Sequence, residues 1–388
     1  MTRKEFVKVL GLLGIYSPLN HVFGKGNRPE PSRFSGNVLI IGAGAAGLTS
    51  GFLLKQRGIE FRILEATSQY GGRMSVNRSF ADFPIALGAE WLSSNTIRFE
   101  PLADSKKVLS EIQTVGYLPD EEYEIWDRGK LIRGSFQSFN DRKFVNSSWL
   151  EVFERYVLSS IKESIVYETP IHSIDFSGDK IVVKSPAGEY TADRVIVTAP
   201  LSLLQNGSIR FTPSLPEKKT EVMNETLVWD GFKAFFEFEK KFYPSFVDYL
   251  IQPETDGQVS LYDAAWGQKS TKNVLGLFSV GRPATRYGDL ADEVFKEEIL
   301  KEFDDIFAGQ ASRYYLKHMT QHWSKEPFAQ GAYVSDYTER GVFKYLRAPV
   351  EDKLFFAGDA YTDGYDWGNV HNAIQSAAHS VNQILLNN

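Results

Sequence analysis

At 388 residues the chain is long enough to bury a large core, as two domains or one elaborated one. Cysteine is absent, which excludes disulfides, cysteine-ligated metals, thiol nucleophiles and any cofactor attached through cysteine, and leaves the compartment open. A net charge of -6 gives no footprint for nucleic acid, while aromatics at 14% supply a core and some lining for a flat or apolar ligand.

Residues 1–35 read as an N-terminal extension. Arg3, Lys4 and Lys8 precede or enter a short apolar run, Val9 to Leu19, and Asn20 to Gly36 is polar with Pro29 and Pro31. A basic start before a short apolar stretch is the layout of an export signal, and it is too short to anchor in a bilayer. Thr2-Arg3-Lys4-Glu5-Phe6-Val7-Lys8 resembles a twin-arginine signal with Lys in place of the second Arg. A genuine signal implies a periplasmic or exported protein. The alternative is a frayed extension on a cytoplasmic one.

Asn37-Val38-Leu39-Ile40-Ile41 reads as a strand that stops at Gly42-Ala43-Gly44-Ala45-Ala46-Gly47. Leu48 to Gln56 follows as a helix closed by Gly58, and Glu60 to Glu65 is a second strand ending on an acid. Strand, G-x-G-x-x-G, helix, strand and acid together are the dinucleotide-binding fingerprint in its full context. Gly42 permits the tight turn, Gly44 lets backbone approach a pyrophosphate, and Gly47 lets the helix pack close on the sheet. The helix N-terminus presents N–H groups and partial positive charge to the phosphates. Glu65 lies roughly 20 residues on, where a carboxylate accepts ribose hydroxyls and repels a 2′-phosphate. The alternative is a structural βαβ turn with no ligand.

Tyr70-Gly71-Gly72-Arg73 suggests backbone lying close to a ligand, with the guanidinium on an anionic or electron-rich group. Leu87-Gly88-Ala89-Glu90-Trp91 follows. Asp104 to Ser164 reads as mixed and mainly helical, rich in aromatics, and part of a second, lid-like domain. Ile171 to Phe176, Lys180 to Lys184 and Gly188 to Tyr190 form a small antiparallel set, and Arg194 to Pro200 is a buried strand. Val228 to Glu239, Phe242 to Ile251 and Asn273 to Val280 read as strands. Ala291 to Phe307 reads as an amphipathic helix with Val294, Ile299, Leu300 and Phe303 inward.

His318 and His322 stand four apart, as two ligands on a helical face would, but the residues between them lack the Glu of HExxH, and no metal is expected. Lys353 to Ala357 is a strand leading into Gly358-Asp359. After a polar loop, Gly368-Asn369 opens a helix whose apolar residues, from Val370 to Leu385, recur at helical spacing. Its N-terminus is a second dipole, suited to negative charge on a reduced ring system. No stretch reads as a membrane span.

From about Asn37 onward these blocks resemble the flavin-containing amine oxidase family, which includes monoamine and polyamine oxidases. The resemblance rests on Gly42-x-Gly44-x-x-Gly47 with Glu65, Gly71-Gly72-Arg73, Gly88-Ala89-Glu90-Trp91 and Val195-Ile196-Val197-Thr198-Ala199-Pro200. It continues in Trp323 through Gly331-Ala332-Tyr333, Leu346-Arg347-Ala348-Pro349-Val350 and Phe356-Ala357-Gly358-Asp359. It implies an α/β fold: a Rossmann-like FAD-binding domain built from discontinuous segments (36–103, 165–210 and 331–388), plus an α+β substrate-binding domain (104–164 and 211–330).

The cofactor so implied is FAD, non-covalent in a chain without cysteine. Glu65 would hold the adenosine ribose, and Gly42, Gly44 and Gly47 would flank the pyrophosphate. Gly72 and Arg73 would lie near the isoalloxazine, Gly358 and Asp359 near the ribityl or pyrophosphate, and the Val370 backbone at the flavin N1/O2 edge. Lys233 matches the place where the family carries a lysine that holds a water near flavin N5. Read without the resemblance, Lys233 alternates with Phe232 and Ala234 as a solvated strand lysine would. The family often places an aromatic after the glycine of the last helix, as one wall of an amine cage, and here that position is Asn369. Phe343 and Tyr345 are candidates for the opposite wall, and Trp367 for a substitute from one side, with packing as the alternative for all. Glu90, beside Trp91, either binds a cationic substrate or is structural.

The function implied is an FAD-dependent oxidase of an amine or amino acid, its partners being that small molecule and O2. Hydride would pass from the C–H α to nitrogen to flavin N5, the imine would hydrolyse, and reoxidation by O2 would release hydrogen peroxide. Two rivals are a flavin desaturase or dehydrogenase acting on C–C bonds of a lipophilic substrate, and a non-enzymatic flavoprotein serving as redox sensor or scaffold.

Overall fold

Side chains alternate along Asn37–Ile41, sending Val38 and Ile40 into one core and Leu39 and Ile41 into another. A strand covered on both faces belongs in a parallel sheet. It lies at the centre of five parallel strands in the order Ile165–Val166, Glu60–Leu64, Asn37–Ile41, Arg194–Val197, Leu354–Phe356. The computed structural model describes residues 34–93, 99, 101–117, 122–134, 141–250, 256–336, 343–362 and 366–386, and the candidate export signal lies outside them.

The first core holds Ala46, Leu48 and Leu54 of the helix Ala45–Gln56, and Ala373, Ile374, Ala377 and Val381 of the helix Val370–Leu386. Early and late segments therefore pack together on one face of the sheet. The second core includes Ile174, Ile181 and Val183 of a four-stranded sheet ordered Gly188–Ala192, Ile181–Ser185, Ser173–Asp175, Arg210–Thr212.

A second, seven-stranded sheet carries the order Tyr315–His322, Gly231–Phe238, Asn273–Gly281, Gly257–Asp263, Phe246–Tyr249, Tyr123–Asp127, Lys130–Arg133. The helix Asp292–Ile306 packs Phe295, Ile299 and Phe303 on it. Phe235, Phe246 and Tyr262 belong to a separate aromatic cluster that also takes in Trp91. The fold is thus α/β, with a Rossmann-like sheet beside a mixed substrate-side sheet. Among the described residues no helix is long and apolar enough to cross a membrane.

Three local expectations are corrected. Among the described residues of 104–164 the helices lie at the two ends, and between them lie the strands Thr114–Gly116, Tyr123–Asp127, Lys130–Arg133 and Asp141–Phe144. The cause is a tight hairpin: Arg128 and Gly129 both take positive φ, 46° and 82°, the backbone of a primed turn. Val294 is 45% exposed, and its neighbour Phe295 points inward instead. His318 and His322 lie on a strand rather than a helix, where a spacing of four repeats one face.

Candidate active site

Gly42 sits at φ +102°, a conformation that strains any side chain, and a Cβ on Gly47 would lie 1.9 Å from the Gly42 carbonyl oxygen. The loop and helix cannot meet this way without both glycines. Thr198, from the Val195–Pro200 motif, ties the same turn by donating its hydroxyl to the Ile41 carbonyl at 2.7 Å. Gly44 differs from its neighbours, because a Cβ there would meet nothing within 4 Å. No side chain caps the helix at Gly44, so this opening ends at the positive pole of a 12-residue helix. Glu65 closes the edge. Its Oε2 accepts the Ala43 N–H at 2.7 Å, and its Oε1 accepts the Thr67 N–H and hydroxyl at 2.9 and 2.8 Å.

Gly72 comes down over this loop, its Cβ position 3.4 Å from Gly44 Cα. The next residue, Arg73, pairs through Nη2 with Asp359 Oδ1 at 2.5 Å. Gly358 donates its N–H to Ser376 Oγ at 3.2 Å, and the Gly368 N–H reaches the Asp359 carbonyl at 3.2 Å. Val370 is buried as the first residue of the final helix. Gly44, Gly72, Arg73, Asp359 and Gly368 are thus linked by direct contacts.

The loop after Arg73 leads to the reactive candidates. Ala89 donates its N–H to the Arg73 carbonyl at 2.9 Å, which places Glu90 and Trp91 next to the clasp. Lys233 is only 2% exposed, because both faces of Gly231–Phe238 are covered. The solvated-strand alternative therefore fails. Lys233 Nζ donates to Glu90 Oε2 at 2.8 Å and to the Ala86 carbonyl at 3.1 Å, and lies 5.0 Å from the Trp91 ring centroid.

Glu90 is shared. Its Oε2 also accepts the Tyr262 hydroxyl at 2.6 Å, and its Oε1 lies 3.5 Å from the Nζ of a second buried lysine, Lys143. Lys143 donates further to the carbonyls of Asp263 and Ala264 at 3.1 and 2.9 Å. An ammonium has three N–H donors. Lys143 has an oxygen partner for each, whereas Lys233 has two and keeps one N–H without an oxygen or nitrogen acceptor among the described residues.

Burial pushes Lys233 below the ordinary lysine range, and Glu90 works against that. Burial pushes Lys143 down in the same way. Burial acts to raise Glu90, but Lys233 and Lys143 outweigh it and hold the carboxyl below the ordinary range. The Tyr262 phenol is pushed well up by burial and then by Glu90, so it stays a donor. With two lysines and a tyrosine on it, Glu90 has little acceptor capacity left for a cationic substrate.

Trp91 packs edge-on against Tyr262 and Phe278, with centroids 4.9 and 5.8 Å apart. The other pocket candidates have these surroundings. Phe343 and Trp367 pack against the second core, and Tyr345 is 36% exposed. Asn369 bonds within its own turn, donating to Asp366 Oδ1 at 3.2 Å and the Trp367 carbonyl at 3.1 Å. The aromatic residue that meets Gly368 is Tyr333, whose Cδ2 lies 3.1 Å from where a Gly368 Cβ would be, and Trp229 packs edge-on against it at 6.2 Å. Tyr333 sits inside Gly331-Ala332-Tyr333, a visible motif. Lys143 and Tyr262 have no local signature.

A G-x-G-x-x-G loop closing a βαβ unit is the arrangement of a dinucleotide-binding fold, and here it is linked through Arg73 and Ala89 to a buried lysine among aromatic rings. Residues 151–385, more than half of the chain, match the family model for flavin containing amine oxidoreductase, and residues 40–104 match that for an NAD(P)-binding Rossmann-like domain. The chain belongs to the flavin-containing amine oxidoreductase family.

Among curated relatives, it is 23% identical over 411 residues to Lysine-specific histone demethylase 1B of Mus musculus, covering 84% of this chain and 50% of that one. It is 23% identical over 427 residues to Polyamine oxidase 3 of Oryza sativa subsp. japonica, covering 88% and 87%. A redesigned putrescine oxidase shares its fold with a TM-score of 0.75 at 14% identity, over 91% of this chain and 99% of that one. The chain therefore spans about half the length of the histone demethylase and most of the polyamine oxidase.

Proposed function

We propose that this chain is an oxidase of an amine or amino acid and that it holds FAD non-covalently across the cradle. The observation that carries the reading is Lys233, buried beside Trp91 with one ammonium N–H left over and linked to Arg73 through Glu90 and the neighbouring Ala89 N–H. The residues present fit the cofactor: Gly44 leaves open space, the helix end beside it is positive, and the Arg73–Asp359 pair borders the same surface. A relative named polyamine oxidase and a fold neighbour named putrescine oxidase support an amine substrate.

When bound, FAD supplies the two-electron acceptor for the C–H α to nitrogen, after which water hydrolyses the imine and O2 becomes hydrogen peroxide. The chain does the rest. Trp91, Phe235 and Tyr262 exclude bulk water, which strengthens every polar contact inside. Lys233 holds a water or a polar substrate atom through its remaining N–H. Tyr333 offers a flat wall at the final-helix turn. An amine that arrives neutral needs no general base.

Anaerobic mixing of the purified yellow protein with a panel of amines and amino acids tests this. At least one should bleach the flavin, and air should restore the colour with peroxide release. Bleaching by none of them, or alkene formation from a lipophilic substrate, would overturn the reading.

A further inference from the structure

Lys143 has no part in the chemistry above, yet it is buried as completely as Lys233 and shares the one carboxylate that Lys233 meets among the described residues. The two ammonium groups sit on different oxygens of Glu90, Lys233 on Oε2 and Lys143 on Oε1. Glu90 and Lys143 also line a small, partly open recess, together with Ser147, Ser148 and Gln268, and Lys233 does not. Glu90 thus stands between a lysine at the recess and a buried lysine that does not line it. One carboxylate cannot fully satisfy two buried cations, so whatever Lys143 takes is withheld from Lys233, and the two like charges repel each other.

We propose that Lys143 is a positioning residue that acts through Glu90, setting how firmly the carboxylate holds Lys233 protonated and in place. The proposal rests on the reading of Lys233 as the reactive lysine.

The groups facing this pair come from every neighbouring element. Tyr262 and Asp263 face it from Gly257–Asp263, and Lys143 from Asp141–Phe144. Tyr117 faces Glu90 from the end of the Thr114–Gly116 strand. On the two strands flanking Lys233, the residues in register are Gln321 and Phe278, which carry no charge. Tyr117 and Tyr262 are both held protonated by burial, so the charges that decide are Glu90, Lys143 and Asp263.

The test is a titration of the whole purified chain carrying [ε-13C]lysine, followed by NMR, with the Lys233 signal identified by its loss in Lys233→Met. Lys143→Met removes the competitor and the like charge, so the Lys233 midpoint should rise, by about one pH unit. Lys143→Arg keeps the charge and should leave the midpoint near that of the parent. Glu90→Gln should move it the opposite way, downward by about one unit or more. A purely structural Lys143 would loosen the fold without this opposed pair of shifts. An unmoved or falling midpoint in Lys143→Met overturns the proposal, and the two Lys143 variants decide it even if Glu90→Gln does not fold. An amine panel that fails to bleach the flavin would sink the reading of Lys233 while leaving these midpoints to be read on their own.

Discussion

At the cradle, Gly42, Gly44 and Gly47 act within one loop, through backbone shape, and the carboxylate that braces the loop at Ala43 lies 22 positions from it. At the chamber, Glu90, Lys143, Lys233 and Tyr262 arrive from four segments and act through charge. Glu90 is 143 positions from Lys233 and 172 from Tyr262. The cradle is specified by what its residues lack, a Cβ, and the chamber by what its residues carry into a dry interior. A site of the first kind should break when a methyl is added. One of the second kind should break when a charge is removed at constant volume.

The largest effect should come from Gly47→Ala. Its methyl would collide with the Gly42 carbonyl, and overpacking at backbone should cost more than about 3 kcal/mol, read as a collapsed thermal midpoint and lost flavin. Wild-type stability in this variant would break the comparison at its cradle end. Next is Lys233→Met, which keeps the volume and removes the charge. FAD should stay bound while stopped-flow reduction or reoxidation slows by about 100-fold. Unchanged rates would remove Lys233 from the chemistry.

A smaller effect, and a sharper one, is expected at Gly44→Ala. The apo protein should melt as before, because nothing stands within 4 Å of the new methyl. FAD affinity, measured by fluorescence quenching, should fall on the order of tenfold. Equal affinity would mean that the cofactor does not lie over this loop.

The smallest effect concerns a third buried lysine, which extends the comparison to the nucleotide half. Lys219 faces no carboxylate among the described residues. It donates to the carbonyls of Tyr345, Leu346 and Ala348, over the ring of Phe356. Burial pushes it from the ordinary 10.5 down to about 7. The unfolded chain then binds more protons than the folded one between about 7 and 10.5, so stability rises with pH across that window. The slope from this group is at most about 1.4 kcal/mol per pH unit. Lys219→Met should flatten the rise in thermal midpoint from neutral to alkaline pH, and an unaltered slope would contradict the assignment.

The same contrast explains what could be read from the chain alone. The strand, glycine loop, helix and acid of 37–65 are legible because turn, dipole and packing requirements all fall within one local unit. The Arg73–Asp359 contact spans 286 positions, and only the family resemblance brought its two motifs to one cofactor. Lys143 is invisible in sequence, since a lysine in Asp141-Arg142-Lys143-Phe144 looks like any charged surface residue until the fold buries it. Lys233 is ambiguous for a related reason. Strict alternation signals one wet face, but this strand is covered on both. The aromatic ring against Gly368 is that of Tyr333, 35 positions earlier in the chain, which no local pattern around Gly368 could announce. Sequence proximity is a poor guide where a loop changes direction.

The most direct test of the whole account is the flavin content of the pure protein. Denaturation should release FAD itself, about one per chain, with none left covalently attached. A colourless protein that takes up no FAD on reconstitution would contradict the account at its root.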